Sequence, residues 1–144
     1  MNFARINNIS KILAFRYFVP PGLSGHLEQR CSGHGVITSV RIRFAAGENG
    51  TLKIRPVLII PPQIQIDLFG YADGAERWII GDNEVVENVV SIETESDALL
   101  RVYYDNTANA PDTVDSFVNV DIAVNYFEKF ERDSIIGPRR KGWL

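Results

Sequence analysis

A single cysteine in 144 residues leaves no partner for an intrachain disulfide. That excludes a small disulfide-stapled fold and leaves the redox compartment open. Histidine is nearly as scarce, with His26 and His34 the only two. A structural zinc site takes four ligands, usually from paired short spacings. His26, Cys31 and His34 supply three, and no other His or Cys remains to complete the set. The spacing therefore reads as a buried or half-buried Cys31 beside two loop histidines, and no metal is assigned. No apolar run approaches the ~20 residues of a membrane span. The first residues carry Arg5 and Lys11 but neither the apolar core nor the small-residue cleavage site of a signal peptide. Internal repeats and low-complexity blocks are missing too.

Catalytic signatures are equally sparse. Gly22-Leu23-Ser24-Gly25 is not a Gly-x-Ser-x-Gly elbow and does not join a strand to a helix. Gly33-His34-Gly35 opens neither a dinucleotide fingerprint nor a phosphate loop. The sequence thus points away from an enzyme and assigns no cofactor.

What is present is alternation. The composition, 45% hydrophobic and 23% charged, is that of an ordinary globular chain long enough to bury a core. Val40, Ile42 and Phe44 alternate with Arg41 and Arg43, and Leu52, Ile54 and Leu58 with Lys53 and Arg55. Period two is the mark of a half-buried strand. Asn49-Gly50 lies between these runs, so residues 36–60 read as a β-hairpin. A three-residue loop, Glu48-Asn49-Gly50, sets Phe44 beside Ile54 and Val40 beside Leu58, with Gly50 in a G1 bulge. Pro56, without an N–H, belongs at an edge or bulge.

Similar patterns predict strands near residues 12–19, 63–69, 76–80, 85–94 and 99–104. The longest alternation runs over residues 117–127. Residues 23–35 read as loop around a short extended piece. No convincing long helix appears. The expected fold is all-β: an antiparallel, jelly-roll-like β-sandwich of about eight strands. It divides into an N-terminal arm and first strand (residues 1–20), the sandwich (21–127) and a C-terminal tail (128–144).

Charge is unevenly spread. Residues 1–56 carry eight basic and two acidic groups, while residues 57–127 carry two basic and thirteen acidic. Such a split suits contacts between subunits, or simply decorates solvent faces. The acidic middle would repel phosphate, so no nucleic acid is expected. Asp73, Glu76, Asp82, Asn83 and Glu84 cluster in turns, as do Asp105, Asn106, Asp112 and Asp115; calcium binding there competes with ordinary turn chemistry, and the latter is favoured. Tyr71, Trp78 and Tyr104 could form a stacking platform for sugar rings, an alternative reading in which the domain binds carbohydrate.

The residue 36–56 region and the closing Val118-Asn119-Val120-Asp121-Ile122-Ala123-Val124 strand, framed by extended arms, resemble small β-sandwich accessory proteins of tailed-phage virions. Capsid decoration and head or tail accessories are the nearest group. The resemblance implies a non-enzymatic homo-oligomer, often a trimer, located in the virion and bound to partners such as the major capsid protein. Phe3, Arg5, Arg139, Arg140 and Trp143, in the arms, are the expected contact residues. No membrane partner is implied.

Overall fold

The computed structural model describes residues 6–45, 51–62, 64–70, 77–107 and 116–129. The arm residues Phe3, Arg5, Arg139, Arg140 and Trp143, together with Tyr71 and the turn at residues 48–50, lie outside them.

Among the described residues eight strands form: β1 (Ile6–Val19), β2 (Ser24–Arg30), β3 (Gly35–Phe44), β4 (Lys53–Ile60), β5 (Ile64–Asp67), β6 (Glu84–Thr94), β7 (Leu99–Asp105) and β8 (Ser116–Lys129). They build two antiparallel four-stranded sheets, ordered β1-β8-β3-β6 (sheet A) and β2-β7-β4-β5 (sheet B). The pairing is nested: β1 lies on β8, β2 on β7, β3 on β6 and β4 on β5. Two further ladders, β3 with β8 and β4 with β7, complete the sheets. The inward residues of both sheets meet in one apolar core, where Ile37, Ile42 and Ile122 of sheet A join Ile54, Leu58 and Leu100 of sheet B. The all-β sandwich expected from alternation is therefore present. Among the described residues no helix is long and apolar enough to cross a membrane.

The predicted hairpin does not form. β3 and β4 lie in different sheets, each already flanked on both sides by other strands. Phe44, Val40, Ile54 and Leu58 do share the core, but they reach it from opposite sheets. Alternation specifies an apolar face; two such faces are buried equally well across a sandwich as side by side in one sheet. The register does slip in β3, between Ile37 and Ser39, against both neighbours.

Pro56 also departs from expectation, because β4 is an interior strand. In an antiparallel strand a residue's N and O point to the same side. The Pro56 carbonyl accepts the Leu68 N–H at 3.0 Å, just beyond the end of β5. The missing N–H therefore falls where no ladder bond is required.

Three other boundaries shift. β1 begins at Ile6, well before the predicted residue 12. The predicted strand at 76–80 reduces, among its described residues, to one bridge, with Ile54 and Ile79 exchanging backbone bonds of 2.9 and 2.8 Å. Most of the presumed loop at 23–35 is edge strand β2, paired with β7 from Ser24 to Arg30. Leu27 is its one large aliphatic, and Gly25 is needed there: a Cβ would stand 2.7 Å from the Tyr104 hydroxyl oxygen.

Both open sides of the sandwich are tied across by a side-chain amide. Gln29 of β2 donates to the Ala14 carbonyl of β1 at 2.7 Å. Asn88 of β6 donates to the Leu68 carbonyl beyond β5 at 3.0 Å.

Candidate functional site

The outer face of sheet B gathers the most chemically diverse side chains. Cross-strand register places His26 opposite Tyr103 and Tyr103 opposite Arg55. The antiparallel Ile54–Ile79 bridge then sets Trp78 opposite Arg55. Ser24, Asp105 and Lys53 form the neighbouring row, and Glu28, Arg101, Val57 and Asp67 the row on the other side. Ser24, Gly25, His26, Trp78, Tyr103, Tyr104 and Asp105 line an open depression of about 300 Å³.

Tyr103 is held from several directions. The Arg55 and Arg101 guanidiniums lie 5.3 and 5.5 Å from its ring centroid, and the His26 ring meets it edge-on at 5.8 Å. Arg101 Nη1 donates to the Tyr103 hydroxyl at 2.9 Å, and its Nε donates to Glu28 at 2.7 Å. The Tyr103 hydroxyl first, and the Glu28 carboxylate after it, hold Arg101 above its ordinary range. Arg55 pairs with Asp67 through Nε–Oδ1 at 2.9 Å. Both cations thus face carboxylates across the sheet.

Asp105 closes the turn after β7. Its Oδ1 accepts the Thr107 N–H at 2.9 Å and the Thr107 hydroxyl at 2.6 Å, and these bonds hold the carboxyl below its usual range. Asn106 is wholly buried; its amide donates to the Val19 and Pro20 carbonyls at 3.3 and 3.2 Å. Asp105 thus does the turn chemistry that its type favours, whereas Asn106 ties this turn to the distant end of β1.

Of the predicted sugar platform, Trp78 stands half-buried in the depression. Tyr104 is only 8% exposed, and its ring packs 5.4 Å from that of Tyr17. It shares inward parity with Leu100 and Val102, so Tyr103 presents the outward ring. That parity was available in the sequence. The gathering of His26 and Trp78 around Tyr103 was not, because it depends on three separate strand pairings.

Cys31 occupies the core side, with the Thr94 hydroxyl donating to its Sγ at 3.1 Å; burial pushes the thiol pKa up. His26 lies on the outer face, so the two belong to different surfaces of sheet B.

Sheet A presents a different surface. Ile12, Ala123, Ser39 and Val89 form one outward row, and its end members, on the two edge strands, are 67% and 80% exposed. Phe18 and Phe117, also exposed, pack with ring centroids 5.4 Å apart and planes tilted by 57°. The β6 edge carries exposed Glu84, Glu87 and Glu93, whereas β1 carries exposed Lys11 and Arg16.

No protein-family model matches the chain, and no curated protein matches it.

Proposed function

We propose that this protein is a non-enzymatic structural subunit that assembles with copies of itself, as a capsid decoration or head/tail accessory protein of a virion does. The observation that carries the reading is the pair of unlike edges on sheet A: an acidic β6 with Val89 exposed and a basic β1 with Ile12 exposed. Long edge strands are templates for pairing with another chain. Unlike edges join head to tail, and such heterologous contacts form rings such as trimers where the rotation between copies closes.

An antiparallel β6–β1 pairing that sets Val89 against Ile12 of the next copy extends the apolar row across the boundary. Gln29 already holds the Ala14 carbonyl, so pairing would begin N-terminal to that residue. The nested strand order supports reading the sandwich as a jelly roll, an architecture shared by viral capsid and lectin domains. Fold alone does not carry function, so the edges bear the weight. The further partners in this reading are other virion proteins, such as the major capsid protein.

Multi-angle light scattering tests it. The wild-type chain should form a discrete oligomer, and Val89→Lys should convert it to monomer without lowering the melting temperature. A wild-type protein that stays monomeric at high concentration refutes the assembly reading.

A further inference from the structure

The depression on the outer face of sheet B is unrelated to the sheet A edges, and its lining has its own chemistry. We infer that it binds a neutral pyranose ring. Three planar groups, His26, Tyr103 and Trp78, share one cross-strand row. Planar rings suit the apolar C–H face of a sugar. Tyr103 cannot easily turn away, because Arg101 bonds its hydroxyl and His26 and Arg55 pack on its ring.

Polar groups for the hydroxyls stand in the adjacent row. Asp105 Oδ1 is engaged by Thr107, while its Oδ2 accepts no hydrogen bond among the described residues. Ser24 and Lys53, its cross-strand neighbours, are exposed donors. The ring-plus-carboxylate arrangement sets the ligand class. The cations nearest Tyr103 are already matched by Asp67 and Glu28, and Lys53 faces Asp105, so an anionic ligand gains little. About 300 Å³ is at the small end of ligand sites, enough for one ring, and the open side lets a longer chain leave.

The test is a ¹⁵N-HSQC titration with cellobiose, maltose, lactose and mannobiose, with digalacturonate as the anionic control. Co-sedimentation with cellulose, starch, galactan and mannan distinguishes polymeric from free sugar. The expected result is saturable binding of at least one neutral disaccharide, with shifts at His26, Trp78 and Tyr103. Trp78→Ala should weaken it at least tenfold, Asp105→Asn and the exposed-site variant His26→Ala at least threefold, and Val89→Lys not at all. Binding to a neutral polymer alone, lost in His26→Ala and Trp78→Ala, would support the same site. No binding to any neutral sugar, preference for digalacturonate, or binding indifferent to His26→Ala and Trp78→Ala would overturn it. Because Val89→Lys reports on assembly and His26→Ala on the sugar, the two proposals fail separately.

Discussion

Asp67 closes on Arg55 through two hydrogen bonds, Nε–Oδ1 at 2.9 Å and Nη2–Oδ2 at 3.3 Å, with the two side chains 1% and 7% exposed. The pair lies on the outer face of sheet B, not in the apolar core between the sheets. Two opposite charges this far from water depend on each other. Asp67→Ala leaves the guanidinium without that carboxylate and should cost about 3–5 kcal/mol in urea unfolding. Replacing both residues, as Arg55→Met with Asp67→Leu, should cost less than either single change. A double variant as damaged as the sum of the singles would show that the pair is not the coupled unit.

Asn106 makes a second buried polar connection. Its amide ties the β1–β2 corner to the end of β7, and its backbone N–H and carbonyl bond Leu23 and Gly22 at 2.8 and 3.0 Å. Asn106→Leu keeps the volume and leaves the Val19 and Pro20 carbonyls without that donor. Unsatisfied buried groups cost about 1–3 kcal/mol, and loss of that size is expected in a thermal or urea melt. The backbone bonds survive the substitution, so the fold should remain.

Two glycines separated by one residue should respond in opposite ways. A Cβ on Gly35 would stand 2.5 Å from the Asn125 carbonyl oxygen and 2.9 Å from the Tyr126 Cα, both backbone atoms of β8. Alanine there must push two strands apart, and overpacking of that kind costs about 1–3 kcal/mol, with Gly35→Ala near the upper end. On Gly33 the nearest contact is 3.9 Å, to the Tyr126 ring, so Gly33→Ala should be neutral or slightly stabilising. Comparing melting temperatures of the two variants checks both statements.

The turn at Asp105 should make stability respond to acid. Its folded-state pKa lies below the ordinary carboxylate value because the Thr107 hydroxyl, and then the Thr107 backbone, bond the ionised form. A depressed carboxylate stabilises the fold above its unfolded pKa, and that contribution fades as pH falls through the folded pKa. Wild type should therefore exceed Thr107→Val in stability at neutral pH, with the gap shrinking below about pH 3.8, the ordinary value of an aspartate in the unfolded chain. By NMR titration, the Asp105 midpoint should rise in Thr107→Val. An unchanged midpoint would remove the hydroxyl as the cause.

The alternation of Val118, Val120, Ile122 and Val124 with Asn119 and Asp121 needs no tertiary information to be read as a strand with one buried face. Residues 99–104 were legible as a strand in the same way, but Tyr104, expected in an outward platform, is the tyrosine that faces the core. β2 was less so, because Gly25 yields its side-chain position to Tyr104, and the strand then offers little alternating signal. The site itself was mostly hidden: His26, Trp78 and Tyr103 meet through β2–β7, β4–β7 and the Ile54–Ile79 bridge.

Local sequence therefore determined that the fold is all-β, and which side of most of the predicted strands turns away from water. That follows because the period of side-chain direction is a property of a single strand. Tertiary structure decided which strands are neighbours, and with it the placement of β3 and β4 in opposite sheets and the row of rings on sheet B. An apolar face records only that it must be covered. Whether the cover comes from the side or from across the core depends on where β5, β6, β7 and β8 find their own partners.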